Sequence, residues 1–398
     1  GRYGVPSHQI AQMGVMLGTA YHVTGDSKYA EKLKQALLYY ARYRKWHGKG
    51  LAYKDPAWHS ELNTARFCYG FAVGYDCIRG LLSVAERAEI REAVVRLGIL
   101  PVLEDWILPE TRLHALDSMG HNWWIVCVSQ AGLAALSILD EEPRAREWVN
   151  DIVSKIPHYF RYQGSVLGHK SPNYDEKGAF YESVNYAHYG LYEYLVFRLA
   201  LSRMPGFSVS DDDIPLLKRV GEFFLHTFYP SDRQPLTVNF GDGHIRQSSS
   251  GAVKLLLANG YEDPRLRWYL RQWKESWTAY DFFAYDRIWK GDVRPPESTS
   301  VLYDRIGWAI MRTGWGPNET LLAVKSGFTW NHAHADAGSF VLFHQSVPLL
   351  IDSGNCSYGR PEYVDYYLQS RAHNVVLFEG EGQDPDDLYR GGKEPGQL

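Results

Sequence analysis

The densest chemistry in this chain lies in one short segment, Trp330-Asn331-His332-Ala333-His334-Ala335-Asp336-Ala337-Gly338-Ser339-Phe340. Read as a β-strand, residues two apart face one side, so the segment predicts a row formed by His332, His334 and Asp336. A buried face tolerates such a row only if its members pair or hold a metal. Asp352, in Leu349-Leu350-Ile351-Asp352-Ser353-Gly354, and His373, in Ser370-Arg371-Ala372-His373-Asn374, follow on what read as adjacent strands. Two imidazoles and a carboxylate are a common zinc ligand set. The region reads either as a metal site beside a spare histidine or as a catalytic histidine cluster.

Three further stretches carry polar groups among aromatics. Met119-Gly120-His121-Asn122-Trp123-Trp124 opens an apolar helix. His121 or Asn122 can cap that helix while the tryptophans pack, or the polar pair and the rings can line a cleft. In Gly178-Ala179-Phe180-Tyr181-Glu182-Ser183-Val184-Asn185-Tyr186-Ala187-His188-Tyr189-Gly190, the residues Glu182, Tyr186 and Tyr189 have the spacing of one helix face. Asn239-Phe240-Gly241-Asp242-Gly243-His244 carries a Gly-Asp-Gly turn signal; its acid and histidine can line a cleft or cap the next helix, and the cap is the expected role.

These residues must be positioned by two kinds of structure. Apolar residues recur at three- and four-residue intervals over 8–24, 27–46, 59–80, 84–97, 122–138, 144–160, 179–203, 212–228 and 263–277, which predicts successive helices. Ser83-Val84-Ala85-Glu86 is a capping box, and Gly25 followed by Asp26 or Ser27 reads as a helix end and a helix start. Short loops imply antiparallel hairpins. Asp292-Val293-Arg294-Pro295-Pro296-Glu297-Ser298 reads as a linker-like break. Strand-like runs follow at 306–312, 320–326, 339–345, 347–352 and 374–379. The expectation is an α+β chain: a helical domain over 1–285, then an antiparallel β-sheet or sandwich domain over 286–398, cut short at its C-terminus.

Composition narrows the classes of function. A chain of 398 residues exceeds one typical core and implies two domains. A formal net charge of −4 argues against general nucleic-acid binding but leaves room for a local basic cleft and an acidic substrate. No apolar run is long enough to span a bilayer. Cys68, Cys77, Cys127 and Cys356 form no C-x-x-C pair, so a cysteine-based metal site is not expected. Both chain ends read as cuts in a longer protein. The 28 Tyr, 13 Trp and 16 Phe suit sugar stacking and helical cores alike.

The four stretches, in this order, resemble the heparinase II/III-like polysaccharide lyases, a group of heparin, heparan sulfate and alginate lyases to which the dermatan sulfate epimerases are related. The resemblance rests most on His332-x-His334-x-Asp336-x-x-Ser339-Phe340, Asp352-Ser353-Gly354 and Arg371-x-His373-Asn374. It implies an (α/α) toroid followed by antiparallel β-sheets. It implies that Tyr186 is the catalytic tyrosine and His332 the catalytic histidine, and that Asn122, with His121, neutralises the substrate carboxylate. It implies that His334, Asp352 and His373 hold a mainly structural zinc ion, that the partner is an anionic polysaccharide, and that the protein is periplasmic or secreted.

These residue types suit β-elimination. The C5 proton of a uronic acid is weakly acidic, and an amide or imidazole near the carboxylate stabilises the developing enolate. A tyrosine or histidine takes the proton and an acid protonates the departing O4 oxygen. A uronate C5 epimerase shares the first step. A metal-dependent glycan hydrolase would instead activate water, and a non-catalytic glycan-binding protein would need only the aromatic clefts.

Overall fold

The computed structural model describes residues 4–48, 57–108, 118–163, 172–207, 210, 214–274, 277–327 and 332–383. Local chemistry sets the helix boundaries. Helix α1 (Gly4–Thr24) ends where Gly25 takes φ +68°, and α2 (Ser27–Ala41) starts where the Asp26 carboxylate accepts the Lys28 N–H. Helix α3 (Leu62–Ile78) crosses α1 with backbone in contact. A Cβ on Gly14 would lie 2.6 Å from the Gly70 carbonyl oxygen, so that crossing requires glycine on both helices. Helix α4 (Val84–Ala93) opens with the capping box of Ser83 and Glu86. The chain stays helical beyond the expected end at residue 97: π-helical turns Val94–Ile99 and Leu103–Ile107 flank α5 (Leu100–Val102). Helix α6 (Asn122–Ser137) is buried on nearly all sides, as its apolar sequence demands. Helices α7 (Ala145–Arg161) and α8 (Val184–Leu201) follow.

The remaining helices are short: α9 (Val220–Thr227), α10 (Ser250–Ala258), α11 (Pro264–Gln272), α12 (Ala279–Phe283) and α13 (Tyr285–Trp289). Of these α10, α12 and α13 were not expected, nor was the small ladder of β1 (Phe228–Tyr229) with β2 (Leu236–Thr237). A five-stranded antiparallel sheet then runs β3 (Ser300–Tyr303), β4 (Trp308–Arg312), β5 (Thr320–Lys325), β6 (Ser339–His344) and β7 (Val347–Leu350) in sequence order. β5 and β6 alternate buried and partly exposed positions, the pattern of a sheet with one covered face. The expected order of helices followed by an antiparallel sheet is therefore the observed one.

By packing, the chain divides into two units, one of Gly1–Tyr159 with Glu193–Val209, the other of Phe160–Tyr192 with Ser210–Leu398. Among the described residues no helix is long and apolar enough to cross a membrane.

Three local expectations need correction. The run 374–379 is not a strand: its one bridge joins Phe378 to Glu381, and Val376 is exposed. Glu182 precedes α8, so it does not share a helix face with Tyr186 and Tyr189. The segment from His332 to Gly338 is a turn-rich loop, not a strand, with His332 at φ +58° and Gly338 at φ +85°; Trp330 and Asn331 lie outside the described residues. Its Asp336 turns away from both histidines to Lys325 at the end of β5, with Nζ–O distances of 2.5 and 2.7 Å. Both side chains are buried.

A buried ammonium without a counter-charge is costly. Asp336→Asn should lower stability by about 3–5 kcal/mol, read as a lower denaturation midpoint. The double change Lys325→Met with Asp336→Leu should cost clearly less. Equal losses in the two variants would mean that the ion pair is not what makes Asp336 important.

Candidate active site and metal centre

Asp242 sits at the centre of the site. The chain leaves β2, and the Phe240 carbonyl accepts the Gly243 N–H across a tight turn whose Gly241 has φ +59°. A Cβ on Gly241 would stand 3.3 Å from the His332 carbonyl, so this glycine lets the two loops meet. The turn drives Asp242 fully into the interior. One carboxylate oxygen lies 2.6 Å from His332 Nδ1 and 3.0 Å from the Tyr358 hydroxyl. The other lies 3.0 Å from His334 Nε2. The Tyr363 hydroxyl reaches both oxygens, at 3.1 and 3.0 Å. Burial opposes ionisation of Asp242, but the hydrogen bonds and charges of His332 and His334 outweigh it and hold the carboxyl below the usual range.

His332 lies between this carboxylate and two tyrosines. Its ring stacks on Tyr186, centroids 4.0 Å apart and planes 11° from parallel. The Tyr358 hydroxyl stands 3.2 Å from His332 Nδ1 and is hydrogen-bonded to the Tyr186 hydroxyl. With Nδ1 donating to Asp242, Nε2 is the basic nitrogen and has no protein partner among the described residues. Burial, and next the charge of Asp242, push the Tyr186 phenol well above its ordinary value; Tyr358 shifts the same way for the same reasons. Tyr186 is thus held protonated, a proton donor beside an oriented base.

The second cluster shares His334. One ligand atom from each of His334, Asp352 and His373 lies within 4.8 Å of the other two, and all three residues are buried. They come from the loop before β6, the residues after β7, and the end of a 3₁₀ turn (Ser370–Ala372), not from adjacent strands as expected. The donor set fits a metal. His334 Nδ1 is buried with no hydrogen-bond partner among the described residues, while Nε2 is engaged by Asp242. His373 Nε2 lies 3.0 Å from the Tyr367 carbonyl, and Nδ1 is 2.6 Å from Asp352. A carbonyl behind an imidazole is the usual support for a ligating histidine. Burial works to lower His373, yet the hydrogen bond and charge of Asp352 raise it above its ordinary value.

His121 and Asn122 lie in the other unit. His121 caps α6, its Nδ1 accepting the Trp123 N–H at 3.1 Å. Asn122 is buried, and both its amide atoms lack a hydrogen-bond partner among the described residues. A buried amide left open is rare enough to need a cause. The structure thus brings together Tyr186, His332, His334, Asp352 and His373. The sequence argument favoured a cap over a cleft role for Asp242 and missed Tyr358 and Tyr363. Only the Gly-Asp-Gly turn could have flagged the acid, and capping is not what it does.

Residues 295–394 match the family described as heparinase II/III-like, C-terminal. A heparin-sulfate lyase of Bacteroides thetaiotaomicron is 31% identical over 74 residues, 16% of this chain and 10% of the relative. A heparin-sulfate lyase of Bacteroides stercoris is 28% identical over 120 residues, 29% of this chain and 18% of the relative. A crystal structure of heparinase III matches with a TM-score of 0.66 at 15% identity, covering 92% of this chain and 54% of that one. A heparan sulfate lyase from Pedobacter heparinus matches with a TM-score of 0.58 at 16% identity, covering 96% and 54%. The chain thus spans little more than half the length of these structures. At such identities the structural likeness establishes the fold, helical hairpins followed by an antiparallel sheet. The direct family match is confined to the C-terminal quarter of the chain, and that quarter is similar to the heparinase II/III-like C-terminal family.

Asp242 is ionised in the folded state below its unfolded value. Its contribution is therefore complete above about pH 4, the unfolded aspartate range, and is lost as pH falls through the folded value. Asp242→Asn should cost at least about 1.5–3 kcal/mol at neutral pH. The gap in melting temperature from wild type should narrow only below about pH 4. A gap that vanishes at neutral pH would contradict this electrostatic account.

Proposed function

We propose that this chain is a polysaccharide lyase that cleaves a uronate-containing glycosaminoglycan by β-elimination. The observation that carries the proposal is His332, held by the buried carboxylate of Asp242 and stacked on a tyrosine kept protonated. In this reading His332 Nε2 takes the C5 proton. The electron pair of that C–H bond becomes the C4=C5 double bond, and the C4–O4 bond breaks. Tyr186 delivers its proton to the departing O4 oxygen. Asn122, whose amide lacks a protein partner among the described residues, is proposed to stabilise the charge that develops on the uronate carboxylate, with His121 setting the start of its helix. The names of the relatives, heparin-sulfate lyases, favour a glycosaminoglycan over alginate. They come from bacteria, and a periplasmic or secreted location is proposed on that ground.

His334, Asp352 and His373 are proposed to hold zinc, which when bound would tie three segments together and fix His334. His334 then presents Nε2–H to Asp242, so the same carboxylate that orients the base is itself positioned from behind. The domain division proposed remains 1–285 for the helical part and 286–398 for the β part.

Two experiments test this reading. A panel of uronate polymers should yield ultraviolet-absorbing unsaturated ends from at least one of them. Tyr186→Phe should lower turnover by roughly 10²–10⁴ with the fold retained. Near-normal turnover in that variant, or saturated ends alone, would refute the assignment. For the metal, elemental analysis should find close to one zinc per chain in wild type and none in His373→Ala. Metal-free wild type of unchanged stability would remove the zinc and leave the lyase reading standing.

A further inference from the structure

A further buried carboxylate faces a histidine in the helical unit, where neither the sequence motifs nor the proposed mechanism places a role. Asp105 is almost fully buried in the middle of the π-helical turn Leu103–Ile107. One of its oxygens accepts three hydrogen bonds, from the His59 N–H at 2.9 Å, the Ser60 N–H at 2.7 Å and the Ser60 hydroxyl at 2.7 Å. Its other oxygen lies 3.5 Å from His59 Nδ1. The carboxylate is enclosed, but the His59 side chain is 58% exposed. With its Nδ1 edge on Asp105, the ring turns Nε2 away from the carboxylate, and that nitrogen has no protein partner among the described residues.

Hydrogen bonds and ring contacts tie the segment around His59 to the start of α6. The Trp106 indole N–H donates to the Ser60 hydroxyl, and the Trp106 carbonyl accepts the Trp124 indole N–H. Trp58 packs edge-on against both Trp106 and the half-buried Trp123, centroids 5.8 and 6.0 Å away. Trp123 in turn packs on His121, at 5.3 Å. The residue before His59 is therefore linked through tryptophan rings to the helix start that carries Asn122.

We propose that His59 is an anion-contacting residue of the helical unit, oriented by Asp105 to donate from Nε2 to a carboxylate or sulfate oxygen of an acidic polysaccharide. Asp105 is its positioning residue. An exposed histidine without such backing would spend rotamer freedom on each contact. Here the Nδ1 edge of the ring is set against Asp105 in advance, which leaves Nε2 to meet an anion. That the ligand is a polysaccharide rests on the lyase reading above.

The test uses the Tyr186→Phe protein, which should bind without consuming ligand. It is titrated by calorimetry with a sulfated and an unsulfated uronate oligosaccharide of equal length. Adding His59→Ala should raise Kd by about 10-fold or more, the size of a lost charge-assisted hydrogen bond. It should also flatten the salt dependence of binding and leave the melting temperature unchanged. A larger effect on the sulfated ligand assigns sulfate as the group bound; equal effects assign the carboxylate. In otherwise wild-type protein, His59→Ala should raise KM more than it lowers kcat. If His59→Ala does not fold, His59→Gln carries the test: loss of the salt-dependent part of the affinity supports the contact, and its retention overturns it. Unchanged Kd in folded His59→Ala overturns the contact alone. Failure of the Tyr186→Phe protein to bind either oligosaccharide overturns the contact and the lyase reading together.

Discussion

A single buried carboxylate organises the β-unit. Asp242 is fully enclosed, and an isolated ionised carboxyl in that position would be prohibitive. It is tolerable because both its oxygens are saturated by donors: His332, His334, Tyr358 and Tyr363. Those donors come from two loops far apart in sequence from the turn that carries the acid. The requirement to satisfy Asp242 therefore fixes the loop before β6 and the segment after β7 against each other. It also explains why His332 can sit at φ +58°, a conformation a non-glycine residue holds only when its surroundings over-determine it.

The same carboxylate links the two halves of the chemistry. One oxygen faces the histidine that stacks on Tyr186; the other faces the histidine whose remaining nitrogen joins Asp352 and His373. A nitrogen committed to metal leaves the opposite N–H as a donor. With a metal bound at that nitrogen, Asp242 would accept on both sides, and His332 would keep its proton on Nδ1 and a lone pair on Nε2. Tyr186 and Tyr358 experience the same negative charge in a dry setting and stay protonated. One charge thus orients His332 and keeps the neighbouring phenols protonated. Removing that charge should disturb both.

Much of this was legible in the sequence, but unevenly. Helix ends governed by local chemistry, such as Gly25 with Asp26 and Ser83 with Glu86, could be read directly because their hydrogen bonds span a few residues. The grouping of His334, Asp352 and His373 was also legible, but the supposed reason was wrong. Alternation along a strand was invoked, whereas turns on either side of the segment bring its histidines inward and send Asp336 to Lys325. The expected strand at 374–379 fails because Asn374 spends its side chain on the Phe340 and Ile351 carbonyls, and the residues after it lie exposed. Asp242 was misread because a Gly-Asp-Gly turn shows that the chain bends, not what it bends toward. Its partners lie about ninety residues away or more, and no local pattern encodes that contact.

The most direct test of the account is turnover by Asp242→Asn, followed by ultraviolet absorbance on whichever uronate polymer the wild type cleaves and scaled to the folded fraction of the same preparation. Asparagine keeps the shape of the side chain and removes its charge. The account predicts a fall of roughly 10²-fold or more, because the base loses its orientation and the acid its charged neighbour. Turnover within a few-fold of wild type in folded protein would contradict it and reduce Asp242 to a packing residue.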